Sequence, residues 1–320
     1  MTQQIGTERM PQVTPAASAP RLRRESAWRR RDRLWGYVFV GPQLLGMALF
    51  VVLPFTASLV LAFADWDGLG ELTWVGADNF VDQLQDPLLL RSILNTLAIA
   101  VVTVPIGLGL AVVIAVALER LKTRALYLVL FFSPVVTATV AIAMIWQQMF
   151  RVDGVLSTTI STVFGIEPPN WLQDPRLALL AVCIVTIWSS LGLNVVIFLA
   201  GLQNISPSVI EAARIDGAGA VRLLLSIRLP LLSPIVFFSS VIAFISSLQT
   251  FDIVYVLVSG GGPDNATRTI VYHIYDLGFG RFEFGPSSAA SIILLVLTLV
   301  ITGIQFAAQK KFVHYEDDPA

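Results

Sequence analysis

The sequence predicts an all-α integral membrane protein with six transmembrane helices, and three observations carry that prediction. Hydrophobic residues make up 55% of the chain and charged residues only 13%, with a mean hydropathy of +0.75. A soluble domain carries about a quarter charged residues, and surface facing lipid needs no polar coat. Six apolar stretches are each about 20 residues or longer, enough for a helix to cross a hydrocarbon core of roughly 30 Å. Lys and Arg are distributed unevenly between those stretches.

The elements follow in chain order. Residues 1–35 contain prolines, serines and arginines without apolar periodicity and read as a disordered basic tail. The first stretch, Tyr37–Phe63, exceeds the roughly 7–15 residues of a signal-peptide core, so it is expected to remain as a span. Glu8, Glu25 and Asp32 argue against an acid-poor mitochondrial presequence. The other stretches are Ile93–Leu118, Ala125–Met149, Leu177–Leu202, Leu231–Val258 and Pro286–Ala308, giving one transmembrane domain over 36–309 and a short tail over 310–320. Asp252 is the one ionised side chain within any of the six.

Cytoplasmic segments retain Lys and Arg. With the N-terminus inside, the inner segments hold the arginines at 9, 21, 23, 24, 29, 30, 31 and 33, then Arg120, Lys122, Arg124, Arg214, Arg222, Arg228, Lys310 and Lys311. Only Arg91, Arg151, Arg176, Arg268 and Arg281 are left outside, so both termini are expected in the cytoplasm. The first external loop is acidic and carries Trp66 and Trp74, which suit a membrane–water interface. The third external loop carries Gly260-Gly261-Gly262-Pro263, a strong helix stop. Cys183 is the only cysteine, which excludes an internal disulfide or a CxxC site and reads as a small buried apolar side chain. His273 and His314 fall on opposite sides in this topology, form no joint metal site and are expected to be solvated or interfacial. Lipid is the expected surrounding and no nucleic acid is expected as a partner.

The segment between the fourth and fifth stretches, Ser206–Gly219, is too polar to cross a membrane. Ser206 can cap a helix with Pro207 at its first position, Ser208 and Glu211 fit a capping box, and Gly217–Gly219 supply a stop. The result is a short cytoplasmic helix with small residues, Ala212, Ala213, Gly217 and Ala218, ringed by Glu211, Arg214 and Asp216. Spacing alone fits either an amphipathic helix resting on headgroups or a surface that another protein approaches closely.

Glu211-Ala212-Ala213, then Gly217, Ile227 and Leu229-Pro230 resemble the EAA loop of ABC importer permeases. Further features are similar to the carbohydrate-type, MalF-like and glycerol-3-phosphate-permease-like branch: Val75-Gly76-Ala77-Asp78-Asn79-Phe80, Asn95-Thr96, Pro134, Trp146, Trp188, Phe251-Asp252-Ile253-Val254-Tyr255 and Ser259–Thr267. The family more often has threonine where Ser259 stands, and the serine keeps the hydroxyl. The resemblance covers about residues 35–310. It implies a coupling helix between spans four and five, with Glu211, Ala212, Ala213, Arg214, Asp216, Gly217, Ala218 and Pro230 facing the ATPase. The implied assembly has a second permease subunit, two ATP-binding subunits and an extracytoplasmic solute-binding protein, in a bacterial or archaeal plasma membrane. No cofactor is expected on this chain; ATP and Mg²⁺ belong to the ATPase subunits.

An ionisable residue within a span is a functional candidate because its desolvation is costly. Asp252 heads the candidate substrate path, with Ser246 and Gln249 near it, Ser190 and Asn194 on the fourth stretch, and Tyr255 in the family-like run. Ser239, Thr250 and Thr186 continue the same stripes. Such residues could bind sugar hydroxyls or simply hydrogen-bond neighbouring helices, and Asp252 could instead cap the external loop or pair with an arginine. A sugar is the expected solute; glycerol 3-phosphate is the alternative and would favour a cationic path. A proton-coupled secondary transporter normally buries several carboxylates or histidines, which these spans lack. With no GxxxxGK[ST] phosphate loop, the chain is not expected to be an ATPase.

Overall fold

In lipid every backbone N–H and C=O must be satisfied within the protein, which favours long helices. The computed structural model describes the backbone of residues 25–312 and the side chains of 35–309, in two units that divide after Ala57. The tail before Glu25 and His314 lie outside the described residues. In the first unit, α1 (Glu25–Met47) continues through a π-helical turn at Ala48–Val52 into α2 (Leu53–Leu61), which runs past the division at Ala57. The run Trp35–Leu61 is 27 residues long with a mean hydropathy of 2.4, sufficient to span a bilayer. The helix starts eleven residues before the expected boundary at 36, so the last part of the expected tail, 25–35, is helical.

The second unit opens with a two-residue antiparallel ladder, β1 (Ala64–Asp65) against β2 (Thr73–Trp74), then α3 (Asp78–Gln85). Helix α4 (Pro87–Glu119) starts earlier than apolarity alone indicated because Asp86 caps it, its carboxylate accepting from Leu88 N–H at 2.8 Å. Asp174 caps the later helix α8 in the same way, accepting from Arg176 N–H at 2.8 Å, and each aspartate is followed by proline. An Asp-Pro pair is an efficient start, since proline has no N–H to leave unpaired. The expected third span is not one helix. It is α5 (Arg124–Phe132) and α6 (Thr139–Phe150), parted by a turn around Pro134, and α7 (Val155–Phe164) follows.

After α8 (Pro175–Gln203) come α9 (Pro207–Ile215) and α10 (Ala220–Leu223), then a π-helical turn at Leu224–Arg228 that leads into α11 (Leu229–Leu248). The expected fifth span, Leu231–Val258, also breaks: α11 stops at Leu248 and a separate short α12 begins at Asp252 (Asp252–Leu257). Asp252 therefore lies in the first turn of a new helix, not within a continuous one. A glycine-rich loop leads to α13 (Ile270–Tyr275) and α14 (Phe284–Phe312). The last helix runs three residues into the expected C-terminal tail. Among the described residues five helices are long and apolar enough to cross a membrane, not six.

Packing centres on α4 against α8. Lipid tails are as apolar as leucine, so helices associate by close packing, helped by small residues. Thr103, Gly107, Ala111 and Ala115 repeat every four residues along α4, and all four are buried. On α8, Gly192 lies so close to the Phe131 carbonyl oxygen at the end of α5 that a Cβ would overlap it. At Gly201 a Cβ would come 2.6 Å from Ile235 Cδ1 and 2.8 Å from Leu232 Cδ2 of α11. One core cluster gathers Ile99, Phe150, Val182 and Val254. A second gathers Ala111, Leu118, Phe198, Leu202 and Leu232. Cys183 is buried in the first cluster as a free thiol, as expected.

Candidate functional site

A cleft of about 430 Å³ opens between α4, α8, α11 and the two helix breaks. Ser190, Asn194, Ser246, Gln249 and Asp252 all line it, as do Thr186, Ser239 and Thr250. Residues from distant parts of the sequence thus meet on one surface. Tyr255 does not line it. It stands 44% exposed in an aromatic cluster, its ring 5.2 Å from Phe251 and 5.3 Å from Tyr275, and Phe251 joins that cluster to the cleft.

Several lining residues carried no signal at the level of single spans. Thr103 comes from α4, Thr137 and Thr139 flank the break before α6, and Ser189 and Ser247 complete the polar wall. The only foreshadowing was Pro134, which disfavours helix in the residue before it. Within the wall, Thr186 and Asn194 donate to carbonyls one turn earlier on their own helix, at Val182 and Ser190. An interhelical contact joins Thr103 and Ser247, whose hydroxyls are 3.4 Å apart. Ser239 is 3% exposed and its hydroxyl has no partner among the described residues. Among the described residues no lysine, arginine or histidine lines the cleft, and Asp252 is its one ionisable group.

The end of the cleft beside the glycine-rich loop is held by specific clamps. Asn95 Nδ2 donates to the carbonyls of Asn265 and Arg268 at 2.9 and 3.0 Å, and Ile270 N–H donates to Thr96 Oγ1 at 3.0 Å. Thr269 donates to the Thr250 carbonyl at 2.9 Å, and Gln147 donates to that of Val256 at 2.7 Å. Asn79 Nδ2 bridges the carbonyls of Ala62 and Ala64 at 3.1 and 2.8 Å. Trp146 meets Trp188 edge-on at 5.6 Å. The loop needs these ties because its backbone is unusual: Gly260, Gly261 and Gly262 all have positive φ, as do Asp264 and Asn265.

His273 corrects an expectation: it is fully buried, not solvated. Its Nε2 lies 2.9 Å from Gln83 Oε1 and its Nδ1 3.2 Å from an Arg268 nitrogen. Arginine can only donate, so Nδ1 must be bare and Nε2 must carry the hydrogen that Gln83 accepts. Burial, then the Arg268 charge, hold the imidazole pKa down at about 4, against the weaker pull of Asp86. Arg268 also donates to Asp276 at 2.7 Å and Arg281 does so at 3.0 Å. Burial alone would raise the Asp276 pKa, but these bonds and charges leave it below the usual carboxylate range.

On the opposite side of α8, Pro207 occupies the first turn of α9 as expected. Neither expected cap forms: Ser206 makes no side-chain cap, its hydroxyl lying 2.8 Å from that of Ser208, and Ser208 falls inside α9, so it cannot head a capping box with Glu211. The C-terminus is a Schellman closure. Ala218 N–H donates to Ala213 at 2.9 Å, Gly217 N–H to Arg214 at 3.1 Å, and Gly217 has φ +80°. Glu211, Ala212, Arg214, Asp216 and Gly217 are exposed, Ala218 is half-buried and Ala213 is buried. Ile215 is 86% exposed, a large apolar side chain left bare on a short polar helix. Pro230, half-buried, begins α11.

Long apolar helices enclosing a polar cleft, with an exposed helix between two of the spans, define a multi-pass α-helical membrane transport component. The chain belongs to the family described as binding-protein-dependent transport system inner membrane component, which matches residues 104–314. It is 36% identical over 291 residues to the probable ABC transporter permease protein YesP of Bacillus subtilis (strain 168), covering 90% of this chain and 94% of that protein. It is 34% identical to the lactose transport system permease protein LacF of Rhizobium radiobacter, covering 86% and 94%. A solved bacterial ABC transporter involved in the import of the acidic polysaccharide alginate shares the fold, with TM-score 0.79, 22% identity, and 91% and 100% of the two chains covered.

Proposed function

We propose that this chain is a permease subunit of an ATP-driven importer and forms half of the translocation path for a neutral sugar delivered by an extracytoplasmic binding protein. One observation carries the choice of solute: a cleft walled by hydroxyls and amides, with one carboxylate and no cation. Hydroxyls and amides both donate and accept, which suits the alternating requirements of sugar hydroxyls. Glycerol 3-phosphate would require cationic or multiple N–H donors for its dianion, and the lining offers neither lysine nor arginine. One relative is named for lactose, whereas others, 32–33% identical, are named for sn-glycerol 3-phosphate, so the choice rests on the lining. In this reading Ser190, Asn194, Ser246, Gln249 and Asp252 contact the solute, and Tyr255 stands at its approach.

The remaining parts follow from the same proposal. Helices α5 and α6 together make the third of six crossings, since irregular backbone at membrane depth is tolerated where it lines a cavity. Both termini lie in the cytoplasm, by the distribution of arginines and lysines. Helix α9 is the coupling helix: Glu211, Ala212, Arg214, Asp216, Gly217 and Ala218 face a partner ATPase that carries ATP and Mg²⁺, while the buried Ala213 packs inward, against the expectation that it faces the ATPase, and Pro230 stands behind them. A second permease subunit closes the open side of the cleft. The deciding experiment is a thermal-shift screen of sugars and polyol phosphates against the binding protein encoded beside this gene. A neutral sugar is the expected hit, and a hit on glycerol 3-phosphate alone would refute the choice. Deleting 211–219 should abolish co-purification of the ATPase subunits; retained association and transport would sink the coupling role.

A further inference from the structure

The inner end of α4 carries a charge pair that no part of the cleft or of α9 requires. Glu119, the last residue of α4, lies 2.7 Å from an Arg228 guanidinium nitrogen. The arginine side chain is only 4% exposed and the carboxylate 25%. The two atoms meet off the directions of an aligned hydrogen bond, so the attraction is that of the charges. Arg228 Nε is buried without a partner among the described residues. A charge held this way is costly to strand, because removing one partner leaves the other uncompensated.

Its position in the chain is the second observation. Arg228 closes the π-helical turn Leu224–Arg228, which lies between the exposed α9 and the long α11. Single π turns inside helices recur at functional positions, where they re-aim a side chain that regular α geometry would point elsewhere. Leu118, next to Glu119 in the chain, and Leu232, one turn after Arg228, are buried in one cluster with Leu202, and a Cβ at Gly201 would push on Leu232 and Ile235. On the far side of Glu119, no proline interrupts α4 between 106 and 119, and Gly107 and Leu108 line the cleft. At 1.5 Å per residue, Leu108 is about 17 Å from Glu119 along a rigid rod.

We propose that the Arg228–Glu119 pair is the joint that ties the coupling segment to α4, so that movement of α9 reaches the cleft wall through α4 as well as through α11. Arg228 and Glu119 are positioning residues, and this role rests on the coupling reading of α9 given above. The packed cluster of Leu118, Leu202 and Leu232 on α4, α8 and α11 transmits a push only if the segment bearing it cannot slip past α4. The buried ion pair supplies that fixed point, and the π turn brings the guanidinium to it.

The test uses the assembled importer with its ATPase subunits in nanodiscs, in a Cys183→Ser background, with spin labels at Ile215→Cys and Arg120→Cys. Both sites are exposed, one on α9 and one beside Glu119. In the otherwise native chain the interlabel distance should be the same without nucleotide and after ATP–vanadate trapping. In Arg228→Gln it should shift between those states while ATP hydrolysis persists, because α9 then moves without α4. The charge-swapped pair, Arg228→Glu with Glu119→Arg, should restore the constant distance and also decides the matter if Arg228→Gln does not assemble. A distance that shifts equally in native and Arg228→Gln complexes overturns the joint, as does a swapped pair that assembles but still shifts. Failure of the native chain to retain any ATPase subunit refutes the coupling reading itself, and the joint with it.

Discussion

Acidification should destabilise the region around α13 through one residue, His273. The imidazole is fully buried, with its bare Nδ1 facing Arg268 and its Nε2–H given to Gln83. Protonation would place a hydrogen on Nδ1 against a guanidinium, losing an acceptor and adding like charge at about 3 Å. The folded-state pKa of about 4 lies below the ordinary value of 6.5. A depressed pKa means the unfolded chain binds the proton first. Stability is therefore whole above about pH 6.5, falls as pH drops through the window between 6.5 and 4, and levels off below it. At about 1.4 kcal/mol per pH unit, the full effect is about 3 kcal/mol. The assay is thermal unfolding in nanodiscs from pH 7.5 to 4, comparing the native protein with His273→Gln. Glutamine can donate to Gln83 and accept from Arg268 but does not titrate. The native apparent Tm should fall more steeply than that of the variant between pH 6.5 and 4. Parallel curves across that range would refute both the tautomer and the burial argument.

Three further outcomes follow from the packing and the cleft. Gly192→Ala should cost about 1–3 kcal/mol by overpacking against the Phe131 carbonyl, seen as a lower apparent Tm; an unchanged Tm would mean that α5 is not held against α8. Asn95→Ala should strip the donors from the Asn265 and Arg268 carbonyls, costing about 1–3 kcal/mol. Hydrogen exchange should then rise first over 259–270, and uniform protection there would contradict the clamp. Asp252→Asn, which keeps the shape and removes the charge, should lower uptake without lowering the amount assembled in the membrane; full uptake would remove Asp252 from the path.

Much of this architecture was legible because hydropathy and helix-start chemistry act locally. Apolar length located α4, α8 and α14 within a few residues, and the Pro207 and Gly217 signals bounded α9 correctly. What was misread depended on local signals that were passed over or on partners distant in sequence. Asp86-Pro87 and Asp174-Pro175 were local signals that apolarity alone overrode, so the starts of α4 and α8 were set too late. His273 looked like a loop histidine because Gln83, 190 residues away, cannot be paired with it from one sequence. The Ser206 cap failed for a local reason: its hydroxyl is taken up by Ser208. Asn95 and Thr96 stood out only by resemblance, and their physical purpose became visible once the loop after α12 was seen lying on α4.

The two apolar stretches that failed to form single helices are the two whose interruptions face the cleft. Pro134, Val135 and Thr137 border it from the first break and Gln249, Thr250 and Phe251 from the second. Hydropathy cannot detect such breaks, because it sums transfer energies and is blind to whether the backbone is hydrogen-bonded. A break at membrane depth frees backbone donors and acceptors, and lipid offers them nothing. They persist only where water, solute or protein replaces the lost bonds, which confines them to the wall of a polar cavity. At 133–138 and 249–251 the protein itself replaces many of them: Val135 and Thr137 N–H donate to the Phe132 and Pro134 carbonyls, Gln249 and Thr250 N–H to those of Ile245 and Ser247, and the Thr250 carbonyl accepts from Thr269. The breaks are thus built turns that carry Thr137, Gln249 and Thr250 to the cleft wall.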